Sequence, residues 1–125
     1  MMKNPVGWFE IYVSDMARAR AFYEATLGRK LNQLPETLEH VDIWAFDMQE
    51  ETYGATGALV KMDGMLPGGN SVLVYFGCPD CAVESARALE AGGQIVKPKF
   101  SIGPYGFIAL ILDTEGNMFG LHSMQ

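Results

Sequence analysis

The sequence predicts an α+β domain built from two βαβββ modules, and three observations carry that prediction. The chain states one pattern twice. Trp8-Phe9-Glu10-Ile11-Tyr12-Val13-Ser14-Asp15 alternates and ends in an acid, and a helical pattern then runs to Gly28. Leu73-Val74-Tyr75-Phe76-Gly77-Cys78-Pro79-Asp80 does the same, and a second helical pattern runs to Gly93. The spacing agrees, since Asp15 to Gly28 and Asp80 to Gly93 are both thirteen residues. After each helical segment come further strand-like runs separated by turn residues. A repeat of this size marks a duplicated unit, and ligand sites are often found between such copies.

Each element follows from local pattern. In residues 7–13, Phe9, Ile11 and Val13 point one way and Trp8, Glu10 and Tyr12 the other. The first set belongs under a helix; the second, amphipathic and aromatic, suits a cavity wall. Ser14 or Asp15 can cap the next helix, in which Met16, Ala19, Phe22, Tyr23 and Leu27 recur at helical spacing before the Gly28 stop. Residues 29–34 read as a short strand and Pro35-Glu36-Thr37 as a turn. Val41 to Met48 alternates, with Ile43, Ala45 and Asp47 opposite Asp42, Trp44 and Phe46. Gln49 to Thr56 is a polar loop and Gly57 to Met62 the closing strand of the first half.

The second half reads as strand over Val72–Phe76 and helix over Cys81–Ala91. A short strand at Ile95–Lys97 leads into a loop through Pro98 and Gly103-Pro104-Tyr105-Gly106. Phe107–Leu112 and Met118–Ser123 are strands joined by the turn Asp113-Thr114-Glu115-Gly116-Asn117, a good hairpin signal.

A chain of 125 residues is one domain, able to bury a core without staples. Module 1 is expected over about 5–63, a linker over about 64–70, where Gly and Pro gather, and module 2 over about 71–125. The formal net charge is −6 and the basic residues are scattered, which argues against nucleic acid and anionic membrane as partners. The apolar runs are strand-length, too short to span a bilayer. Met1-Met2-Lys3-Asn4-Pro5 lacks the apolar core of a signal peptide, so a cytoplasmic location is expected. Cys78-Pro79-Asp80-Cys81 stands where a helix N-terminus can lower a thiol pKa, yet the first copy has no cysteine there, and small apolar slots account for both thiols better.

Ile11-Tyr12-Val13-Ser14-Asp15, Ala21-Phe22-Tyr23-Glu24 and Leu27-Gly28 together resemble the opening of the glyoxalase / bleomycin-resistance / extradiol-dioxygenase (vicinal oxygen chelate) superfamily. Leu112-Asp113-Thr114-Glu115-Gly116-Asn117 resembles its closing hairpin. The likeness covers essentially the whole chain. It implies the glyoxalase-like fold, in which paired βαβββ modules curl an open mixed sheet around a ligand cavity, and it implies a homodimer.

The resemblance also implies a divalent metal held by four side chains, one from each of four strands. Residue by residue, this sequence departs from that pattern. The first ligand position, seven before the capping Asp, is Trp8, and its repeat equivalent is Leu73. The last, four after the hairpin Gly, is Gly120. The remaining ligand would come from the strand near Gly57–Met62, yet no acid or His occurs from Thr52 to Met62. Imidazole, carboxylate or thiolate must supply the bonds of such a site, and Trp, Leu and Gly cannot. No metal and no other cofactor is therefore expected, and a dioxygenase, which needs two His and a carboxylate at one centre, is disfavoured.

Glu10 lies two residues after Trp8, and His122 two after Gly120, so each shares the parity of a ligand position. They form a candidate displaced acid–base pair, with His122 as base and Glu10 as acid, or they contact a ligand, or they are polar rim residues without chemistry. Trp8, Tyr12, Trp44, Tyr75 and Tyr105 are candidates for an aromatic lining, each with core packing as the plainer account. Gly120 is expected to be Gly for space, in a cavity that Trp8 narrows. The expectation is a metal-free protein that binds a small organic molecule in an aromatic-lined cavity. The alternative is an enzyme, either a glyoxalase-type lyase or isomerase or a metal-free acid–base catalyst built on Glu10 and His122.

Overall fold

A computed structural model of the chain describes residues 4–6, 8–35, 40–49 and 52–125. The strand β1 (Phe9–Tyr12) leads to α1 (Met16–Leu27), β2 (Leu31–Gln33), β3 (Val41–Phe46) and β4 (Gly57–Met62). The second copy is β5 (Tyr75–Gly77), α2 (Cys81–Glu90), β6 (Gln94–Ser101), β7 (Phe107–Leu112) and β8 (Met118–Ser123), with one 3-10 turn at Gly103–Tyr105. Both copies are βαβββ. Each folds as a four-stranded mixed sheet, in the orders β1-β4-β3-β2 and β5-β8-β7-β6. The first strand of each copy runs parallel beside the last, and the other pairs are antiparallel.

Local chemistry explains the helix ends. The Asp15 side chain accepts from the Arg18 amide at the start of α1, and Asp80 accepts from the Ala82 amide at the start of α2. Gly28 closes α1 at φ 65°, a left-handed position that favours glycine. In the second copy the left-handed residue is Gly92, at φ 100°, so the repeat slips by one here. Gly93 serves space instead: a Cβ on it would come within 2.6 Å of the Phe22 ring and 2.8 Å of the Leu112 carbonyl oxygen.

Side-chain alternation then sorts the faces. Ile11, Val13, Leu31, Phe46 and Leu59 from one sheet, and Ala109, Ile111, Phe119 and Leu121 from the other, are buried against the helices. Between the sheets and α1 lies an aromatic cluster. Phe76 packs on Phe9, Tyr23, Phe46 and Phe119 with ring centroids 5.6 to 6.1 Å apart, two of the four pairs edge to face. This core joins the two copies, and a smaller buried cluster of Ala45, Ala58 and Val60, with Tyr12 packed against it, lies on the first sheet. The opposite, helix-free faces carry the other parity: Glu10, Tyr12, Ile43 and Ala58 on the first sheet, and Tyr75, Ile108, Leu110, Gly120 and His122 on the second.

Two boundaries differ by three residues or more from the pattern in the sequence, while β1, β2 and β3 are trimmed by one or two residues at their ends. The second copy's first strand begins at Tyr75, not Val72, because the Asn70 side chain takes the ladder position. Its amide donates to the Met118 carbonyl and its oxygen accepts from the Met118 N–H at 3.0 Å. The strand at Ile95–Lys97 is longer than expected and runs on through Pro98 to Ser101. Proline is tolerated because β6 is an edge strand and the register shifts between Lys97 and Phe100. The turn at Pro35-Glu36-Thr37 and the loop Gln49 to Thr56 fall partly outside the described residues. No helix among the described residues is long and apolar enough to cross a membrane.

Candidate functional site

The candidate residues fall into two groups on the helix-free faces. In the first, β1 is an edge strand and carries Glu10 and Tyr12, with Trp8 just before it. Alternation puts the three side chains on one face, and they bond to one another. The Trp8 indole Nε1–H donates to Glu10 Oε2 at 3.3 Å, and the Tyr12 hydroxyl donates to Glu10 Oε1 at 2.8 Å. That bond to the carboxylate, with some burial and the nearby charge, holds the Tyr12 phenol above its usual pKa. The strand partner of Glu10 is Ala58 and that of Tyr12 is Val60, so short side chains floor the strip. The result is an anionic centre between two aromatic rings, exposed to solvent.

The second group sits on β5 and β8. Tyr75 pairs with Gly120, and Gly77 with His122. A Cβ on Gly120 would fall 2.3 Å from two carbons of the Tyr75 ring, so that ring lies over the glycine backbone. The space over Gly120 is thus taken by Tyr75 and not by Trp8. His122 Nε2 meets the Tyr105 carbonyl oxygen at 2.7 Å. Among the described residues no hydrogen bond joins the two groups.

Two of the expected aromatic residues take other places. Trp44 pairs with Leu59 and packs toward the helix side, on the face opposite Glu10. The Arg20 guanidinium of α1 stacks on it, 3.4 Å from the ring centroid. Alternation separates Trp44 from Ile43 and Ala45, yet it does not say which set meets the helix. The Tyr105 ring is 72% exposed, in the 3-10 turn beside β7.

The metal implied by the fold finds no matching donors. At Gly120 the space holds an aromatic ring, and among the described residues no three His, Cys, Asp or Glu side chains come together. The cysteines are free; burial first, then the neighbouring Glu84, pushes the Cys78 thiol up to about 12, the reverse of a reactive thiol. A depression of about 710 Å³ opens at the far end of β2, β3 and β4. Its wall is mostly polar, with Gln33, His40, Asp42, Lys61 and Asp63, and it includes none of the candidate residues. It offers little apolar area to an organic molecule, so the chemistry of the two strips is the better guide.

The sequence marks the closing hairpin as a turn and as a family motif, but not as a link between the copies. In the structure it is the clamp between copies. Glu115 accepts from the Ser14 and Asp15 amides, and Asn117 donates to the Tyr12 carbonyl at 2.9 Å. This fixes the end of β1, and with it Tyr12 and Glu10. The signal was present in the spacing of Asp113, Glu115 and Asn117, but their partners lie about a hundred residues away.

Comparison with known proteins agrees with this fold. A model of the bleomycin resistance protein-like N-terminal family matches residues 6–44. The anthracycline biosynthesis protein DauV of Streptomyces sp. (strain C5) is 28% identical over 120 residues, which is 96% of this chain and 42% of that protein. This chain thus spans less than half the length of that curated relative. The solved structure of TnmS3, an antibiotic binding protein from Streptomyces sp. CB03234, is 28% identical, with a TM-score of 0.69 over 100% of this chain and 99% of that one. A member of the glyoxalase/bleomycin resistance protein/dioxygenase superfamily from Sphaerobacter thermophilus is 22% identical, with a TM-score of 0.71 over 98% and 99% of the two chains. In fold the chain is similar to solved members of the glyoxalase/bleomycin resistance protein/dioxygenase superfamily, and its residues 6–44 match the bleomycin resistance protein-like N-terminal family.

Proposed function

We propose that the protein binds a small organic molecule, without a metal, against the helix-free faces of its two sheets. The strip Trp8, Glu10 and Tyr12 forms one wall, and Tyr75, with His122 beside it, forms the other. The observation that carries this reading is the Glu10 carboxylate held between two aromatic donors on an exposed edge strand. Such a group is suited to a flat, cationic or donor-bearing molecule, which it meets with a charge and two ring faces. The antibiotic-binding description of TnmS3 supports the same class of role. Trp44 has no part in the wall, since Arg20 covers its ring. The resemblance further suggests a homodimer, which sedimentation velocity would check.

The enzymatic alternative rests on the same pair, Glu10 and His122. Both Glu10 oxygens already accept hydrogen bonds from its neighbours, which favours a contact role over proton transfer. A thermal-shift screen of planar organic molecules tests the proposal, because a ligand of the native state raises its melting temperature. The protein should give hits whose effect is lost in Glu10→Ala. Hits that are indifferent to Glu10, or none across cationic and neutral aromatics, would remove the reading.

A further inference from the structure

We infer that His122 meets the ligand through Nδ1, as a hydrogen-bond acceptor, and that the backbone of Tyr105 rather than its ring sets this up. The inference rests on reading the two strips as ligand walls. A carbonyl oxygen only accepts, so His122 Nε2, 2.7 Å from the Tyr105 oxygen, carries the proton. In the neutral imidazole the other nitrogen is then a lone pair. Nδ1 has no hydrogen-bond partner among the described residues.

The surroundings leave that nitrogen room. Leu121 and Ser123 on either side of His122 are buried, so alternation turns the imidazole to the helix-free face, beside Tyr75 and Gly120. Its neighbour on the edge strand is Gly77, and a Cβ there would meet nothing within 4 Å. On its other flank is the Ile108 side chain. The carbonyl that fixes the tautomer is itself held in a closed turn. The Ile102 N–H donates to the Gly106 oxygen at 2.8 Å, and the Gly106 N–H donates to the Gly103 oxygen at 3.2 Å. Gly106 stands at φ 103°, and a Cβ on it would lie 2.4 Å from the Ser123 oxygen, so this turn docks on the end of β8. The ligand class follows: a planar molecule with an O–H or N–H at its edge, placed so that the donor reaches Nδ1 while the ring covers Tyr75.

The tautomer can be read without any ligand. Long-range proton–nitrogen NMR of the imidazole, at a pH where it is neutral, should show Nε2–H and a bare Nδ1. An Nδ1–H ring, or an averaged one, would overturn the inference. Phenol and anisole then serve as probes, since only phenol donates. Phenol should move the His122 Nδ1 resonance and anisole should not, while both move the Trp8, Tyr12 and Tyr75 rings. Movement of the three rings without a phenol-specific His122 response would overturn the acceptor role and leave the walls standing. Silence from the rings as well would remove the walls and the inference with them. Tyr105→Ala keeps the carbonyl, so tautomer and phenol response should survive; loss of both would assign the effect to the ring and contradict the argument.

Discussion

Glu115, on the β7–β8 hairpin, closes the first turn of α1 from a hundred residues away. Its Oε2 accepts from the Ser14 N–H at 3.0 Å and the Ser14 hydroxyl at 2.7 Å, and its Oε1 accepts from the Asp15 N–H at 3.1 Å. Arg18 adds an ion pair at 3.1 Å. The two amides stand at the start of α1, where unpaired N–H groups and the helix dipole favour an anion. The carboxylate thus ties the second copy to the helix of the first and fixes the strand that bears Glu10.

Removing that carboxylate should loosen the joint. Glu115→Ala removes the buried carboxylate that the Ser14 and Asp15 amides, the Ser14 hydroxyl and Arg18 all bond, and Glu115→Gln keeps the shape without the charge. We expect about 2–3 kcal/mol of lost stability for Ala and about half that for Gln, since bonds to charged groups contribute roughly 1.5–3 kcal/mol. Urea unfolding measures both; a loss under about 0.5 kcal/mol for Ala would contradict the clamp.

The same residue gives a pH dependence. Burial alone would raise the Glu115 pKa, but the bonds from Ser14, Arg18 and Asp15 outweigh it and hold it below the usual glutamate range. A depressed folded pKa gives stability that is present above the unfolded value and lost as pH falls through the folded one. Asp113 has the opposite sign: burial raises its pKa, so its contribution declines as pH rises through that window. Glu115→Gln should therefore flatten the loss of stability toward acid, and Asp113→Asn should steepen it. Equal acid limbs in all three proteins would refute this assignment.

Tyr23 and Asp113 form a second link between copies. The Tyr23 hydroxyl is fully buried and donates to Asp113 Oδ2 at 2.6 Å. Burial first, then the Asp113 charge, raises the phenol pKa well above its usual value. Tyr23→Phe keeps the ring contacts with Phe22, Phe76 and Phe119 but leaves the carboxylate short of a donor. A cost of about 1.5–3 kcal/mol is expected, read as a lower midpoint in denaturant with an unchanged slope. An unchanged midpoint would mean that water replaces the hydroxyl at no cost.

Gly120 tests the relation between this chain and metal-binding members of the superfamily it resembles. Gly120→Glu restores a ligand type at one position but drives a side chain into the Tyr75 ring. The ring is half-exposed on a short edge strand and can swing away, so the fold should survive with about 1–3 kcal/mol lost to overpacking. No metal-dependent isomerisation should appear, because Trp8 and Leu73 still supply no donor. Its appearance in this single variant, or about one zinc, nickel or iron per chain in wild-type protein, would contradict the metal-free reading.

How much of this was legible follows from how local each cause is. The duplicated βαβββ order, the caps Asp15 and Asp80 and the Gly28 stop depend on residues within one turn of each other, so spacing reveals them. Alternation grouped Trp8, Glu10 and Tyr12 on one face for the same reason. The late start of β5 depends on the Asn70 side chain standing in for a strand, and the passage of β6 through Pro98 depends on its place at the sheet edge. Neither is local. Trp44 shows the limit most clearly: parity sets it apart from Ile43, but only the position of α1 decides which face is covered. The two links through Asp113 and Glu115 join residues about a hundred positions apart, beyond any sequence period.

On the proposed function, a small organic ligand sits against Trp8, Glu10 and Tyr12. Trp44→Phe leaves Trp8 as the one tryptophan, so its emission reports on that strip alone. The most direct measurement is a fluorescence titration of this variant, with and without Glu10→Ala, using the strongest thermal-shift hit. A saturable change in Trp8 emission is expected, with an affinity at least about tenfold weaker without Glu10, as for a lost hydrogen bond to a charged group. Saturable binding that leaves Trp8 emission unchanged, or that keeps its full affinity without Glu10, would contradict it.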